Sequence, residues 1–143
     1  MRPVIAVTMG DPAGVGPELC LRLLQLPQVH EICQPIIYGD RALLGRVARQ
    51  LGWPEPAAEW VRDIPGLDAA AVTPGRIAAS CGEASYRYVC HAIEDALAGN
   101  GFRRIVAYRN NHGSTWHLHV GRWARARLLY YTNIYQTALR FVL

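Results

Sequence analysis

Three glycines and one carboxylate lie close together near the start of the chain, where they could bind an anion. They are Gly10, Asp11, Gly14 and Gly16. Glycine tolerates positive φ values and lets a ligand approach the main chain closely. A strand that ends in such a loop before a helix presents backbone N–H groups to which a phosphate or a carboxylate can bind. These four residues are therefore our candidate cofactor-binding or substrate-cleft loop.

The glycine spacing in this loop matches neither the dinucleotide-binding pattern Gly-x-Gly-x-x-Gly nor the phosphate loop that ends in Gly-Lys-Ser/Thr. A purely structural turn explains the glycines equally well. In such a turn, Asp11 would accept hydrogen bonds from neighbouring backbone N–H groups. Both interpretations of Asp11 stay open from the residues alone. We assign Glu18 to the start of the following helix, where the helix dipole favours a negative charge.

The elements around this loop follow from apolar patterning and from helix start and stop residues. A β-branched run predicts a strand over residues 2–7, and Pro17 suits the start of a helix that we expect to run to Leu26 and to end at Pro27. Residues 34–39 predict a second, parallel strand. Asp40 then caps a helix that Gly52 closes. This alternation is typical of an α/β protein with a parallel sheet.

The next segment predicts a short strand over residues 58–64 and a surface loop over residues 65–75. The longest helix is expected over residues 81–97, followed by a strand over residues 102–107. One apolar face of this helix is predicted to pack on the sheet, and its members are Tyr86, Val89, Ile93, Ala96 and Leu97.

Two stretches carry a resemblance to a known family. Residues 7–18, Val-Thr-Met-Gly-Asp-Pro-Ala-Gly-Val-Gly-Pro-Glu, resemble the N-terminal signature of the 4-hydroxythreonine-4-phosphate dehydrogenase family, including its 4-phosphothreonate dehydrogenase relatives. Residues 75–89, Gly-Arg-Ile-Ala-Ala-Ser-Cys-Gly-Glu-Ala-Ser-Tyr-Arg-Tyr-Val, are similar to a later helix of that family and the approach to it. The resemblance covers roughly residues 3–107. It implies a parallel-sheet fragment of an isocitrate-dehydrogenase-like fold.

The resemblance also implies a chemistry. Members of the family are homodimeric oxidoreductases that use NAD and a divalent metal. They oxidise 4-hydroxythreonine 4-phosphate or a similar phosphorylated hydroxy acid, in pyridoxal phosphate (pyridoxine) biosynthesis or in sugar-acid catabolism. The family's Thr-Ala-Pro-type loop, the lysine that follows it and its Gly-His-Thr-Glu motif are missing here. Residues 107–111 are instead Ala-Tyr-Arg-Asn-Asn.

The metal-binding histidines of the family lie beyond the part that this chain resembles, so they lend no role to His112, His117 or His119. No acidic residue or cysteine accompanies these three after Asp95. The chain therefore offers no catalytic residue and no metal ligand that we can name. We expect it to be inactive by itself and to bind neither NAD nor a metal ion.

Charge divides the chain into two parts. The first 100 residues carry all eleven acidic residues and a net charge of −3, whereas the last 43 residues carry seven arginines and no acid. We therefore divide the chain into an N-terminal α/β portion, residues 1–107, and a basic tail, residues 108–143. Residues 128–143 are apolar and predict a helix. A shifted reading frame would explain why the acidic residues and the family motifs disappear together.

A different function remains as an alternative. Arginines interleaved with Trp116 and Trp123 would suit a small protein that binds nucleic acid or an anionic surface. We favour a tail without such a role, because no recognisable binding module surrounds the basic cluster. The chain has no apolar run of 18 residues and no signal peptide, which predicts a cytoplasmic protein without a membrane partner. Its four cysteines are expected to be reduced and partly buried.

Overall fold

The computed structural model describes residues 2–98 in full and the strand backbone of residues 102–107 and 127–130. Its strands are β1 (Val4–Thr8), β2 (Gln34–Gly39), β3 (Val61–Asp63), β4 (Phe102–Ala107) and β5 (Arg127–Tyr130). Its α-helices are α1 (Gly16–Leu24), α2 (Pro27–Ile32), α3 (Arg41–Leu51) and α4 (Ala79–Leu97), and a 3-10 turn covers Ala58–Trp60.

The described strands form one parallel sheet in the order β3-β2-β1-β4-β5. The chain moves outward from β1 to β2 and β3, and then returns to the other side of β1 to form β4. This order confirms the predicted α/β class with a parallel sheet. Right-handed crossovers in opposite directions put their helices on opposite faces of a sheet. Accordingly, α1 and α3 pack together, while α4 contacts β1, β2 and β4.

Helix α3 forms as its end residues predict. The Asp40 side chain accepts a hydrogen bond from the Leu43 N–H at 2.8 Å, and Gly52 follows the helix with a φ of 67°. Asp40 is 5% exposed, so its carboxylate caps the helix inside the protein. The predicted strand over residues 34–39 is also confirmed with the same bounds. The two ends of α3 depend on local signals that need no tertiary partner.

Two predicted helix features are wrong. Helix α1 ends at Leu24, and Pro27 starts the short helix α2 instead of only ending α1. A proline at the first helical position is tolerated because its missing N–H would have had no partner there. The strand predicted over residues 58–64 is shorter than expected, since a 3-10 turn over Ala58–Trp60 precedes the strand β3.

The predicted buried face of α4 is correct only in part, since Ile93 and Ala96 pack against the core. Its buried residues are Cys81, Ala84, Tyr88 and Ala92, whereas Tyr86 and Leu97 of the predicted face are 55% and 56% exposed. The helix carries two apolar stripes, and periodicity alone does not choose between them. Small side chains decide, because Ala84 and Ala92 allow α4 to lie close to the strands.

A polar network joins α4 to two strands. The Tyr38 hydroxyl donates to Asp95 Oδ2 at 2.8 Å, and Arg62 Nε lies 3.3 Å from the same oxygen. Tyr38 is fully buried in the core. Burial is the largest cause that raises the pKa of Tyr38, and the hydrogen bond to Asp95 raises it further. The network therefore connects β2, β3 and α4 across the sheet.

Part of the basic tail joins the sheet, since β5 pairs with β4 in parallel register. The helix predicted over residues 128–143 is wrong for residues 128–130, which form this strand. The rest of that prediction lies outside the described residues.

Candidate functional site

The glycine loop, which we define as residues 9–16, connects the carboxyl end of β1 to α1, and its last residue, Gly16, is also the first residue of α1. Strand β1 lies between β2 and β4, whose connections run in opposite directions across the sheet. In open α/β sheets, ligands bind outside the carboxyl ends of the strands at this point of reversal. The sheet therefore brings the candidate loop to the position where a cleft is expected.

Within this loop, Asp11 makes local hydrogen bonds. Its Oδ1 accepts from the Ala13 N–H at 2.8 Å, and its backbone carbonyl accepts from the Gly14 N–H at 3.0 Å. These contacts correspond to the structural interpretation of Asp11. They also occupy two of the N–H groups that a bound phosphate would need.

The glycines of the loop have different roles. Gly10 has a φ of 73°, while neither Gly14 nor Gly16 has a positive φ. At Gly16, a Cβ atom would lie 1.9 Å from the Met9 carbonyl oxygen. Any side chain there would therefore collide with the end of β1. Gly16 is required for the close approach of α1 to β1, which is a packing role.

The loop is also packed tightly from the other side. Met9 is fully buried, and its backbone N–H donates to the Tyr38 carbonyl at 2.9 Å. A Cβ atom at Gly39 would lie 2.8 Å from the Met9 Cβ. The carboxyl ends of β1 and β2 are thus held together closely, which makes the glycine loop a rigid wall.

A second loop, the β3–α4 loop of residues 64–78, faces the first one. Its backbone is held by two arginines from distant elements. Arg87 of α4 donates to the Pro65 carbonyl at 3.1 Å, and Arg46 of α3 donates to the carbonyls of Ala70 and Val72 at 3.3 and 2.9 Å. Sequence reasoning missed both arginines, because nothing local indicates that their partners lie 22 to 26 residues away.

The two loops meet at two contacts. The Gly75 N–H donates to the Ala13 carbonyl at 2.7 Å. At the start of α4, Cys81 is 3% exposed and lies near Asp11. Burial raises the pKa of Cys81, the negative charge of Asp11 raises it further, and hydrogen bonds with Ser80 and Ala13 lower it. The thiol therefore stays protonated in the part of the cleft that both loops share.

A cavity of about 370 Å³ opens between the β3–α4 loop and the start of α4. Its polar lining comes from Asp68, Thr73, Arg76 and Ser80, and Cys81 forms the side nearest the glycine loop. This volume lies in the range of about 300 to 1,000 Å³ that is usual for small-molecule sites. The cavity is therefore the concave part of the site.

Residues 2–98, 102–107 and 127–130 contain no group of three or more His, Cys, Asp or Glu side chains that could hold a metal ion. His112, His117 and His119 lie outside the described residues, as do Trp116 and Trp123 of the nucleic-acid hypothesis. In the same described part of the chain, no helix has the length and apolar character needed to cross a membrane.

Comparison with known proteins gives a consistent result. A 4-hydroxythreonine-4-phosphate dehydrogenase of Geobacter metallireducens is 35% identical over 114 residues, which cover 69% of this chain and 33% of the relative. A solved structure of the 4-hydroxythreonine-4-phosphate dehydrogenase of Burkholderia phymatum matches 74% of this chain and 36% of its own, with a TM-score of 0.67 and 29% identity. The chain carries a segment of the 4-hydroxythreonine-4-phosphate dehydrogenase family.

The chain spans about a third of the length of the curated family members that it matches. No protein-family model matches it. The same segment also resembles a solved terephthalate 1,2-cis-dihydrodiol dehydrogenase of Burkholderia xenovorans, with 32% identity, a TM-score of 0.60, and coverage of 75% of this chain and 34% of the other. The chain is therefore similar to solved proteins that are named for different substrates.

Proposed function

We propose that residues 3–107 are the N-terminal part of an NAD- and metal-dependent dehydrogenase that oxidises 4-hydroxythreonine 4-phosphate or a similar phosphorylated hydroxy acid. The observation that carries this proposal is the family's glycine loop at the point of strand reversal, next to a cavity of about 370 Å³. The isocitrate-dehydrogenase-like fold, the homodimer and the cytoplasmic location belong to the same proposal.

Residues Gly10, Asp11, Gly14 and Gly16 form one wall of the substrate cleft in this proposal. They do not fit a cradle for the pyrophosphate of NAD, because the N–H groups of Ala13 and Gly14 already donate to Asp11. Pro17 lacks an N–H, and Glu18 puts a negative charge in the first turn of α1.

The described residues do not fit a metal ion either, since they bring no three suitable ligands together. We therefore propose that the 143-residue chain is inactive alone, because its described residues lack the ligands for the metal-dependent step.

A chimera tests the proposal. Residues 3–107 would replace the matching segment of the Geobacter metallireducens relative. The chimera and the isolated chain would each be given 4-hydroxythreonine 4-phosphate and NAD, and NADH formation would be followed by absorbance. We expect turnover by the chimera and none by the isolated chain.

Two outcomes contradict the proposal in different ways. Turnover by the isolated chain would disprove its inactivity. A chimera that folds, as judged by circular dichroism and a cooperative melt, but makes no NADH would disprove the role of residues 3–107. The matched control is the same chimera with Gly16→Val, in which the new side chain collides with the Met9 carbonyl.

We also propose that residues 108–143 arise from a shifted reading frame, through a mutation or a sequencing error. The proposal rests on the coincident loss of acidic residues and family motifs after Ala107. Resequencing the gene checks it. We expect the plus-one frame, read one base later after about codon 107, to encode a lysine and a Gly-His motif. A stop within a few codons in that frame would refute the hypothesis.

A further inference from the structure

Two adjacent residues of α4 each bury a hydrogen-bond donor that has no acceptor among the described residues. They are Arg87, whose Nε is buried, and Tyr88, whose whole side chain is buried together with its hydroxyl. A buried donor without an acceptor costs free energy, and folded proteins almost always supply one from the protein or from an ordered water. These two donors therefore indicate a bound acceptor inside the protein.

The Arg87 guanidinium lies at the carboxyl end of β2. The Ile64 N–H donates to the Gly39 carbonyl at 2.9 Å, so the next residue, Pro65, lies beside the end of this strand. Arg87 donates to the Pro65 carbonyl at 3.1 Å through one terminal nitrogen. The same nitrogen fills the space beside Gly66, where a Cβ atom would lie 2.3 Å from it. The guanidinium is therefore fixed at this end of the sheet.

The Tyr88 hydroxyl reaches the same end of β2, next to Asp40. Burial is the largest cause that raises the pKa of Tyr88, the negative charge of Asp40 raises it further, and the positive charge of Arg87 lowers it. The Asp40 side chain is itself buried, and its Oδ1 accepts the Leu43 N–H at 2.8 Å. Its Oδ2 accepts from no described residue. Two buried donors and one buried acceptor oxygen thus lie close together.

The charges of these three groups decide what can bind between them. Arg87 and Asp40 carry opposite charges and form no ion pair with each other. The two donors disfavour a cation, and the Asp40 carboxylate disfavours an anion. A small neutral molecule that both accepts and donates hydrogen bonds suits all three groups. Water has this chemistry, and buried waters typically make about three hydrogen bonds to polar groups that have no other partner.

We propose that one water molecule is bound between Tyr88, Arg87 and Asp40 as a part of the fold. The water accepts from the Tyr88 hydroxyl and from the Arg87 Nε–H, and it donates to Asp40 Oδ2. It joins α4 to the start of α3 and, through the bond from Arg87 to the Pro65 carbonyl, to the β3–α4 loop that lines the cavity. The inference goes beyond the proposed function, since the site involves neither NAD nor a substrate.

Tyr88→Phe tests the proposal through the sign of its effect on the melting temperature. If the hydroxyl donates to a bound water, its removal leaves that water with one partner fewer, and the melting temperature should fall by about 4 °C. A hydroxyl without any partner would give no change or a rise, because an unsatisfied polar atom is removed. Tyr86→Phe is the matched control, since Tyr86 is 55% exposed on the same helix and should change the melting temperature by about 2 °C or less.

Oxygen-17 relaxation dispersion of the solvent detects the water itself, because it reports water molecules that stay inside a protein for long times. The 143-residue chain should show a long-lived water whose contribution is lost or reduced in Tyr88→Phe. Arg87→Lys should have the same effect, since it keeps the positive charge but removes the Nε–H group. Tyr86→Phe should retain the contribution. Circular dichroism confirms that each variant is folded.

The inference is overturned if Tyr88→Phe melts at or above the temperature of the unchanged chain, or if the relaxation dispersion is the same in the unchanged chain, Tyr88→Phe and Arg87→Lys. It is also overturned if chloride raises the melting temperature of the unchanged chain but not that of Tyr88→Phe, because an anion would then occupy the site. None of these results bears on the chimera experiment, since no measurement here uses a substrate.

Discussion

The two loops of the site are built in opposite ways. The glycine loop is held in part by its own Asp11, which accepts from the Ala13 and Gly14 N–H groups, and by the close packing of Gly16 against Met9. The β3–α4 loop depends on arginines that reach it from α3 and α4. The glycine loop, which carries the family signature, is therefore a rigid support. The polar groups available to a ligand lie instead in the β3–α4 loop.

The contrast between the loops should be largest at Gly16. Gly16→Ala puts a Cβ atom 1.9 Å from the Met9 carbonyl oxygen, so the junction of β1 and α1 must shift. We expect a loss of about 3 kcal/mol or more in the free energy of unfolding. Urea unfolding followed by circular dichroism measures the change.

Gly82→Ala in α4 is the matched control, because a Cβ atom there meets nothing within 4 Å. Alanine favours a helix over glycine, so this variant should gain about 0.5 to 1 kcal/mol. Equal effects of the two substitutions would show that the glycine loop is not the rigid part of the molecule.

The pH dependence of the free energy of unfolding tests whether solvent reaches the buried side of α1. Cys20 in α1 is 4% exposed, and burial raises its pKa from 9.0 to about 12. The unfolded chain loses this proton above pH 9, while the folded protein keeps it up to about pH 12. The free energy of unfolding should therefore fall by about 1.4 kcal/mol per pH unit in this window through Cys20 alone.

Cys20→Ala removes this contribution. Urea unfolding of both proteins under reducing conditions should give a shallower decrease for the variant above pH 9 and a constant difference below it. If the free energy of unfolding falls with pH at the same rate in both proteins between pH 9 and 12, Cys20 is exposed to solvent and the packing of α1 admits water.

The next prediction concerns the hydrogen bonds that Arg46 makes to the β3–α4 loop. Arg46→Met removes two hydrogen bonds to the β3–α4 loop, and we expect it to cost about 1 kcal/mol. Limited proteolysis should show faster cleavage within residues 65–78. Arg49→Met is the control, since Arg49 pairs with Glu55 through side chains that are 64% and 54% exposed. This exposed pair should contribute less than about 0.5 kcal/mol.

An effect of similar size is expected at Asp11. Asp11→Asn keeps an oxygen that accepts the Ala13 N–H, whereas Asp11→Ala leaves this group without its 2.8 Å partner. The two variants should differ by about 1 kcal/mol in thermal or urea unfolding. If Asp11→Asn is as unstable as Asp11→Ala, the negative charge matters more than the hydrogen bond.

The elements that could be predicted have their signals within a few residues. Strand β2, the Asp40 cap and the Gly52 end of α3 appear where the local pattern indicates. The buried face of α4 was predicted only in part, because Tyr86 and Tyr88 both continue an apolar stripe. Only contact with the strands shows that Tyr88 is the buried one.

The candidate site divides in the same way. The signature around Asp11 indicated the loop and the family from sequence alone. The roles of Arg46, Arg87 and Cys81 were not predictable, because each depends on a residue far along the chain that the sheet brings close.

What the sequence determined by itself is the local chemistry of the chain, namely its turn glycines, its helix caps and the β-branched runs of a parallel sheet. These are set by backbone sterics and by hydrogen bonds over three or four residues. The tertiary structure alone decided the strand order, which puts the glycine loop at the reversal point, and the cavity that holds Arg76 and Asp68. Such features arise from contacts between distant residues, whose free energy exists only after the sheet has formed.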